Sequence, residues 1–287
     1  MNSICPICFK RCLQRFVERR WEYSIYECSN CTVQYSVPFK RNLNDERDKK
    51  VYRRRLELVG NYLGWDHRKF LRQNIKKGGK VLEIGCGTGD FIALANKSGY
   101  RAVGVDLDKE AVLAGQNYWK TDSIFPMSVE EYFLQSNAEK FDIICFFCTM
   151  EHLENPHEIF DEVEKHLASD GYICFSTPNN DSILNKIWGK ITKVDYPPHH
   201  LIRWNKKATE IFLALHGFEI VYRKTSERSL TDTIPDLFKL YTPLFIPTSI
   251  LLKLSWIVTK ILSPIDKIVK ILVKEGRSQL IIAKLKE

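Results

Sequence analysis

The sequence lacks three things whose absence narrows what it can do. No uninterrupted apolar run reaches the roughly 20 residues that a bilayer-spanning helix needs. The opening residues, Met-Asn-Ser-Ile-Cys-Pro, have no charged-then-apolar leader, so a cytoplasmic chain is expected. Nine cysteines, an odd number, then predict a reducing compartment with thiols used as metal ligands or core residues. The third absence is a glycine. In Gly85-Cys86-Gly87-Thr88-Gly89-Asp90 the sixth position is an acid. A dinucleotide fingerprint requires glycine there, leaving the helix N-terminus open for pyrophosphate. A carboxylate at that point disfavours NAD and FAD.

What is present is ordinary in bulk: 287 residues, 44% hydrophobic and 27% charged. That suits one large α/β domain with a small module. The formal charge of +8 is uneven. Residues 1–75 hold 16 Lys+Arg against 8 Asp+Glu, whereas residues 76–287 hold 27 of each. The basic excess belongs to the N-terminal quarter, which faces either an anionic partner or solvent.

The most informative stretch is Leu-Glu-Ile-Gly-Cys-Gly-Thr-Gly-Asp at 82–90. Gly85, Gly87 and Gly89 close an apolar run at 81–84 and open a helical pattern, as a tight strand-to-helix turn under a ligand requires. The next apolar run, 102–105, ends at Asp106. A carboxylate at the tip of a second strand is placed to accept hydrogen bonds from ribose hydroxyls. Glu83 brings another carboxylate to the pocket, where a ligand ammonium could meet it. Together these residues predict a nucleoside-containing cofactor.

The N-terminus carries Cys5-x2-Cys8 and Cys28-x2-Cys31, two thiol pairs separated by 19 residues. Each pair can grip one edge of a tetrahedral Zn²⁺, and the aromatic stretch between them can supply short strands. So small a segment needs the metal to fold. Cys12 is an extra thiol and an alternative ligand. Cys145-x2-Cys148 reads as buried strand. Such ribbons also bind nucleic acid, but Lys10, Arg11, Arg15, Arg19 and Arg20 form no recognisable nucleic-acid module.

Along the rest of the chain, alternating patterns predict a parallel sheet flanked by helices. Strands are expected at 80–85, 101–106, 123–128, 141–147, 171–176, 218–225 and 278–285, and helices at 45–75, 90–98, 109–117, 129–136 and 155–168. Asn155-Pro-His-Glu158 marks a helix start, with Asn155 as cap. Tyr52 and Arg53–Arg55 are candidate walls of the ligand cleft or a solvated face. The expected division is a zinc ribbon at 1–40, a helical cap at 41–75, a Rossmann-like core at 76–225, a helical insertion at 226–277 and a last core strand at 278–287. In the insertion Lys253, Lys260, Lys267 and Lys274 recur every seven residues, with Pro264 dividing two helices. Segment 240–274 therefore either lies on a membrane surface, which would be the inner one, or packs on the domain or in a homodimer.

The Glu-x-Gly-x-Gly-x-Gly stretch with the later acid resembles the class I S-adenosylmethionine (SAM)-dependent methyltransferases. Phe-Asp-Ile-Ile at 141–144, Glu-His-Leu-Glu-Asn-Pro at 151–156, Ser-Thr-Pro-Asn at 176–179 and Pro-Pro-His-His-Leu at 197–201 look like small-molecule methyltransferases of sugar, glycan or quinone modification. The cysteine-bearing N-terminus is similar to that of sugar C-methyltransferases. The resemblance implies that Gly85, Gly87 and Asp106 bind SAM, with Leu107 beside adenine and Ser128 or Val129 near its edge. Quinone O-methyltransferases of this pattern carry an acid where this chain has Cys148, which argues against a catalytic metal at Glu151 and His152.

Methyl transfer to a hydroxyl also needs a base, for which histidine suits neutral pH. His152, His199 and His200 are the candidates. The expected enzyme is a SAM-dependent methyltransferase with structural zinc, acting on a hydroxyl of a small molecule, glycan or lipid-linked acceptor. The alternative is a nucleic-acid-binding ribbon protein or RNA methyltransferase using the basic N-terminal quarter.

Overall fold

The computed structural model describes residues 2–41, 56, 59–60, 63–135, 140–186, 195–226, 248–273 and 275–286. The N-terminal stretch forms an antiparallel meander of β1 (Asn2–Ile4), β2 (Arg11–Arg20), β3 (Tyr23–Cys28) and β4 (Gln34–Val37). Tyr23 and Ile25 alternate inward along β3, the period-two pattern of a half-buried strand, and Cys28 is buried at its end. On the outer surface Arg15 pairs with Glu27 across the strands at 2.6 Å, and Arg20 with Glu18 at 2.8 Å. Two of the module's arginines are therefore paired within it.

The core begins with α1 (Trp65–Leu71) and then alternates strand and helix. Its elements are β5 (Lys80–Ile84), α2 (Asp90–Lys97), β6 (Arg101–Val105), α3 (Lys109–Trp119), β7 (Ile124–Phe125), α4 (Val129–Gln135) and β8 (Phe141–Phe147). There follow α5 (Pro156–His166), β9 (Leu167–Pro178), β10 (Ile202–Arg203), α6 (Lys206–Leu215), β11 (Phe218–Thr225), α7 (Thr248–Leu272) and β12 (Ser278–Leu285). Seven strands make one sheet in the order β11-β12-β9-β8-β5-β6-β7, parallel except at β12, which runs against both neighbours. The central strand β8 is apolar on both faces, as a strand covered by helices on each side must be. Helix α3 starts where the Asp108 side chain accepts the Ala111 amide at 3.1 Å.

Several sequence expectations change. The third strand shrinks from 123–128 to two residues, because Pro126 follows at once and offers no amide to a ladder. The helix expected to reach 168 stops at His166, and β9 starts directly at Leu167, longer than the expected 171–176. Pro264 does not divide two helices: α7 continues across it, since one proline removes a single hydrogen bond from a 25-residue ladder. Of the helix expected at 45–75, α1 accounts for the end, while Tyr52 and Arg53–Arg55 lie outside the described residues.

The small sheet meets the core on two sides. The fifth strand of the small sheet is β10, contributed by the core, with Ile202 opposite Tyr35 and Arg203 opposite Gln34. On the other side, His157 Nε2 meets the Ile7 carbonyl at 3.0 Å and His157 Nδ1 meets His216 Nε2 at 2.8 Å. Phe9 stacks on the His157 ring with centroids 3.9 Å apart.

Burial lowers the pKa of both His157 and His216, with Asp161 opposing the shift at His216. One of the two facing nitrogens must also be unprotonated to keep their contact. Both rings thus bind protons more weakly folded than unfolded. Their contribution to stability is full above the ordinary histidine pKa of about 6.5 and is lost as pH falls below it. The melting temperature is expected to drop between about pH 7 and pH 5, and His157→Gln to flatten that slope. Thermal melts of both proteins across that range check this, and an unchanged slope in the variant would discard the contact as its origin.

Candidate functional site

The turn between β5 and α2 sits at the carboxyl edge of the sheet, where an open α/β sheet leaves its ligand crevice. The Val105 carbonyl accepts the amides of Gly85 (2.8 Å) and Cys86 (3.1 Å), tying the turn to the end of β6. Gly85 has φ +82°, and a β-carbon there would lie 2.3 Å from Thr149 Oγ1. Gly87 has φ +53°, and a β-carbon there would meet nothing within 4 Å. The first glycine is dictated by packing; the second leaves bare backbone beside open space, as a cradle for a ligand does.

Two cavities flank this turn and share Gly85 and Cys148. The first, about 350 Å³, is lined by Asp66, His67, Glu83, Gly87, Thr88 and Asp90, among others. Glu83 is 3% exposed, and its Oε2 has no hydrogen-bond partner among the described residues. Burial raises its pKa well above the usual carboxyl range, and the carboxylates of Asp106, Asp66 and Asp90 push it further. The neighbouring acids are anchored: Asp66 Oδ2 accepts from Ser176 Oγ at 2.5 Å, and Asp90 Oδ2 from Thr88 Oγ1 at 2.5 Å. A cavity ringed by acids suits a cationic ligand.

The second cavity, about 330 Å³, is lined by Asp106, Leu107, Met127, Ser128, Val129 and His152, among others. The Asp106 carboxylate accepts the Gly87 amide at 2.7 Å and the Asp108 amide at 2.8 Å. It therefore also braces the glycine turn, a role not expected from the sequence. Leu107 is largely exposed. Ser128 caps α4 reciprocally, its Oγ accepting the Glu131 amide while its own amide donates to Glu131 Oε2.

His152 closes a short 3-10 turn (Met150–His152) after β8. Its Nδ1 lies 2.6 Å from the His199 carbonyl, so that nitrogen carries the proton. The rings of His199 and His200 stand 4.6 and 4.7 Å from that of His152, and all three histidines are buried. Neither His199 nor His200 lines either cavity. Both belong to the segment that runs into β10 and is held by the small sheet: the Leu201 carbonyl accepts from the Ser36 amide at 2.9 Å, and Asn205 Nδ2 donates to the Thr32 carbonyl at 2.6 Å.

In the small sheet, the sulfurs of Cys5, Cys8, Cys28 and Cys31 are buried within 4.8 Å of one another. Cys5 Sγ lies 3.8 Å from Cys31 Sγ, and Cys8 Sγ 3.7 Å from Cys28 Sγ. The Cys31 thiol and the amides of Cys8 and Ile7 pull the Cys5 pKa down to about 5 against its burial. Burial pushes Cys28 up to about 12. Four thiolates so close can coexist only around a cation, so the set fits a tetrahedral metal. Cys12 Sγ sits 3.3 Å from Cys28 Sγ but is only half-buried.

Not every expected site residue reaches a cavity. Gly89, at φ +73°, packs under Ile124 as the N-cap of α2 and lines neither one. Asn155 is the N-cap residue of α5 with Pro156 after it, as expected, though its side chain makes no cap hydrogen bond and lines the second cavity. The residues missed from sequence are Asp66 and His67, which a packed α1 brings to the first cavity from outside the glycine stretch. Their one signal is the Trp65-Asp66-His67 run at the start of a helix.

Comparison with known proteins follows this geometry. A ubiquinone biosynthesis O-methyltransferase of Glaesserella parasuis serovar 5 is 32% identical over 109 residues, which is 36% of this chain and 46% of the relative. The match thus spans about half the length of that relative. An uncharacterized protein of Methanocaldococcus jannaschii is 26% identical over 232 residues, 74% of this chain and 89% of its own. A SAM-dependent methyltransferase structure from Archaeoglobus fulgidus aligns with TM-score 0.52 at 22% identity, over 80% of this chain and 94% of that one. Residues 52–223 match the family described as a methyltransferase domain. The chain belongs to that family of methyltransferase domains.

Proposed function

We propose that this methyltransferase moves the SAM methyl group to a hydroxyl of a small molecule, sugar, glycan or lipid-linked acceptor, with His152 as general base. The observation that carries the reading is the His152 ring on the wall of the Asp106 cavity, its Nδ1 committed to the His199 carbonyl. The imidazole so held faces the cavity where an acceptor hydroxyl would give up its proton. His199 and His200 act behind it as positioning residues. In-line transfer from a sulfonium depends mainly on alignment of nucleophile, methyl and sulfur, and a rigid imidazole supports that alignment. The ubiquinone biosynthesis O-methyltransferase relative supports an oxygen acceptor in general terms.

On this reading SAM spans both cavities. Gly85 and Gly87 give backbone access, Asp106 receives the ribose hydroxyls, and Leu107, Ser128 and Val129 flank the adenine. Glu83, with Asp66 and Asp90 nearby, faces the cationic methionine end. Zn²⁺ on Cys5, Cys8, Cys28 and Cys31 holds the small sheet as a structural ribbon. The nucleic-acid alternative is disfavoured because Arg15 and Arg20 are engaged by Glu27 and Glu18.

Three outcomes are expected. Asp106→Ala should weaken S-adenosylhomocysteine binding in calorimetry at least about tenfold, since it removes charge-assisted hydrogen bonds worth about 1.5–3 kcal/mol each; unchanged affinity would reject the ribose role. His152→Ala should lower kcat by about 10²- to 10⁴-fold in a labelled-methyl assay over hydroxylated acceptors, with S-adenosylhomocysteine affinity kept. Full activity in that variant would remove the base. Metal analysis should find zinc, and chelation should unfold the ribbon and slow methyl transfer while S-adenosylhomocysteine still binds. Absence of bound zinc, or activity indifferent to chelation, would reject the ribbon's part.

A further inference from the structure

Helix α7 is inside out for a helix packed on a soluble domain. Over 253–266, where its side chains are described, the residues turned inward are Ser255 and Asp266, 3% and 6% exposed. The outward arc carries Leu254, Trp256, Ile257, Ile261 and Ile265, between 44% and 69% exposed. At 100° per residue Leu254, Ile257, Ile261 and Ile265 fall on one continuous stripe. Beside it Lys253 and Lys260, both exposed and one heptad apart, form a basic row. The Lys260 ammonium lies 4.4 Å from the centre of the Trp256 ring, whose far side bounds the row. Water is a poor solvent for such a face.

We propose that this face of α7 docks on an anionic phospholipid bilayer, lying in the interface with its isoleucine stripe among the acyl chains, Trp256 at the headgroup level and its lysines on lipid phosphates. The composition is that of an interfacial helix: a broad apolar arc, an aromatic anchor, and cations with no acid on the same arc. Spanning is excluded for this element, since no helix among the described residues is long and apolar enough to cross a membrane. A second copy of the chain is a worse occupant. A two-fold contact through this face would bring both lysine rows together, with no carboxylate on either arc to neutralise them. Anionic headgroups supply that counter-charge.

The placement of α7 gives this surface a use. The chain leaves the helix for β12 at the carboxyl edge of the sheet. There Asn179 Nδ2 donates to Glu275 Oε2 at 3.1 Å and to the Gly276 carbonyl at 3.0 Å, and Ser278 lines the acidic cavity. A docked helix would hold this edge at the bilayer, where a lipid-linked acceptor resides. That acceptor class rests on the hydroxyl-transfer reading above, whereas bilayer binding does not.

The test uses the full chain and sedimentation with vesicles of phosphatidylcholine alone or mixed with phosphatidylglycerol. Binding is expected only to the mixed vesicles, strongest at low salt. Neutralising Lys253 or Lys260 with Gln should weaken it about fivefold each, and Ile261→Glu should abolish it. These exposed substitutions should leave S-adenosylhomocysteine binding intact, which separates failure of this surface from failure of the cofactor site. No binding of the intact chain at low salt would overturn the proposal, as would binding indifferent to Ile261→Glu. Dimerisation in sedimentation equilibrium that Ile261→Glu abolishes, in place of vesicle binding, would assign the face to a second copy and overturn it equally.

Discussion

Two pairs of backbone residues, Ile202 with Tyr35 and Arg203 with Gln34, couple the parts of this molecule. Through them the small sheet gains its fifth strand, and the segment bearing His199 and His200 gains a fixed origin. Arg203 reinforces the seam: it is buried, its Nε donates to Gln34 Oε1 at 3.2 Å, and its guanidinium lies over the Tyr196 ring. Burial lowers its pKa to about 10, opposed by Tyr196 and Asp195. It therefore stays charged, and its partners must stay in place. Removing either side of the seam would free the loop that backs His152.

This coupling gives the cysteine-bearing module a role that a separate binding domain would not have. Two of its arginines are engaged by its own glutamates, and its edge is spent on the core. The thiols also reach the core through Ile7, His157 and His216, and Cys31 adjoins Thr32, which accepts from Asn205 just beyond β10. A metal at those thiols would act on catalysis only through rigidity: it holds β3 and β4, β4 holds β10, and β10 anchors the histidine segment.

What was legible in the sequence is what local chemistry determines. The β8 strand at 141–147, the glycine turn and the β11 and β12 strands follow from unbroken periodicity and from residues that only one backbone shape accepts. What was not legible depends on partners remote in sequence. Strand β10 is two residues long and finds its partner about 170 positions earlier, so no window of sequence contains the signal. Asp66 joins the acidic cavity only because α1 packs there, under the Phe91 and Phe147 rings that also meet His67. Asp106 was read correctly as a carboxylate at a strand tip. That its oxygens also hold the Gly87 and Asp108 amides required coordinates.

The acidic cavity has a consequence for turnover. Glu83 is buried, one of its oxygens has no hydrogen-bond partner among the described residues, and three carboxylates raise its pKa. Such a cluster is stable when a cation shares the site and strained when none does. On the proposed reading SAM enters with two positive centres, the ammonium and the sulfonium. Methyl transfer turns the sulfonium into a neutral thioether, so one of those centres disappears while the acids remain. The electrostatic preference for donor over product is then built into the lining, and it favours exchange of spent cofactor for fresh without any moving part. The glycine turn between the two cavities makes this economical: the bare backbone at Gly87 admits the ligand, while the same amide, fixed by Asp106, keeps the acidic and adenosine halves in register.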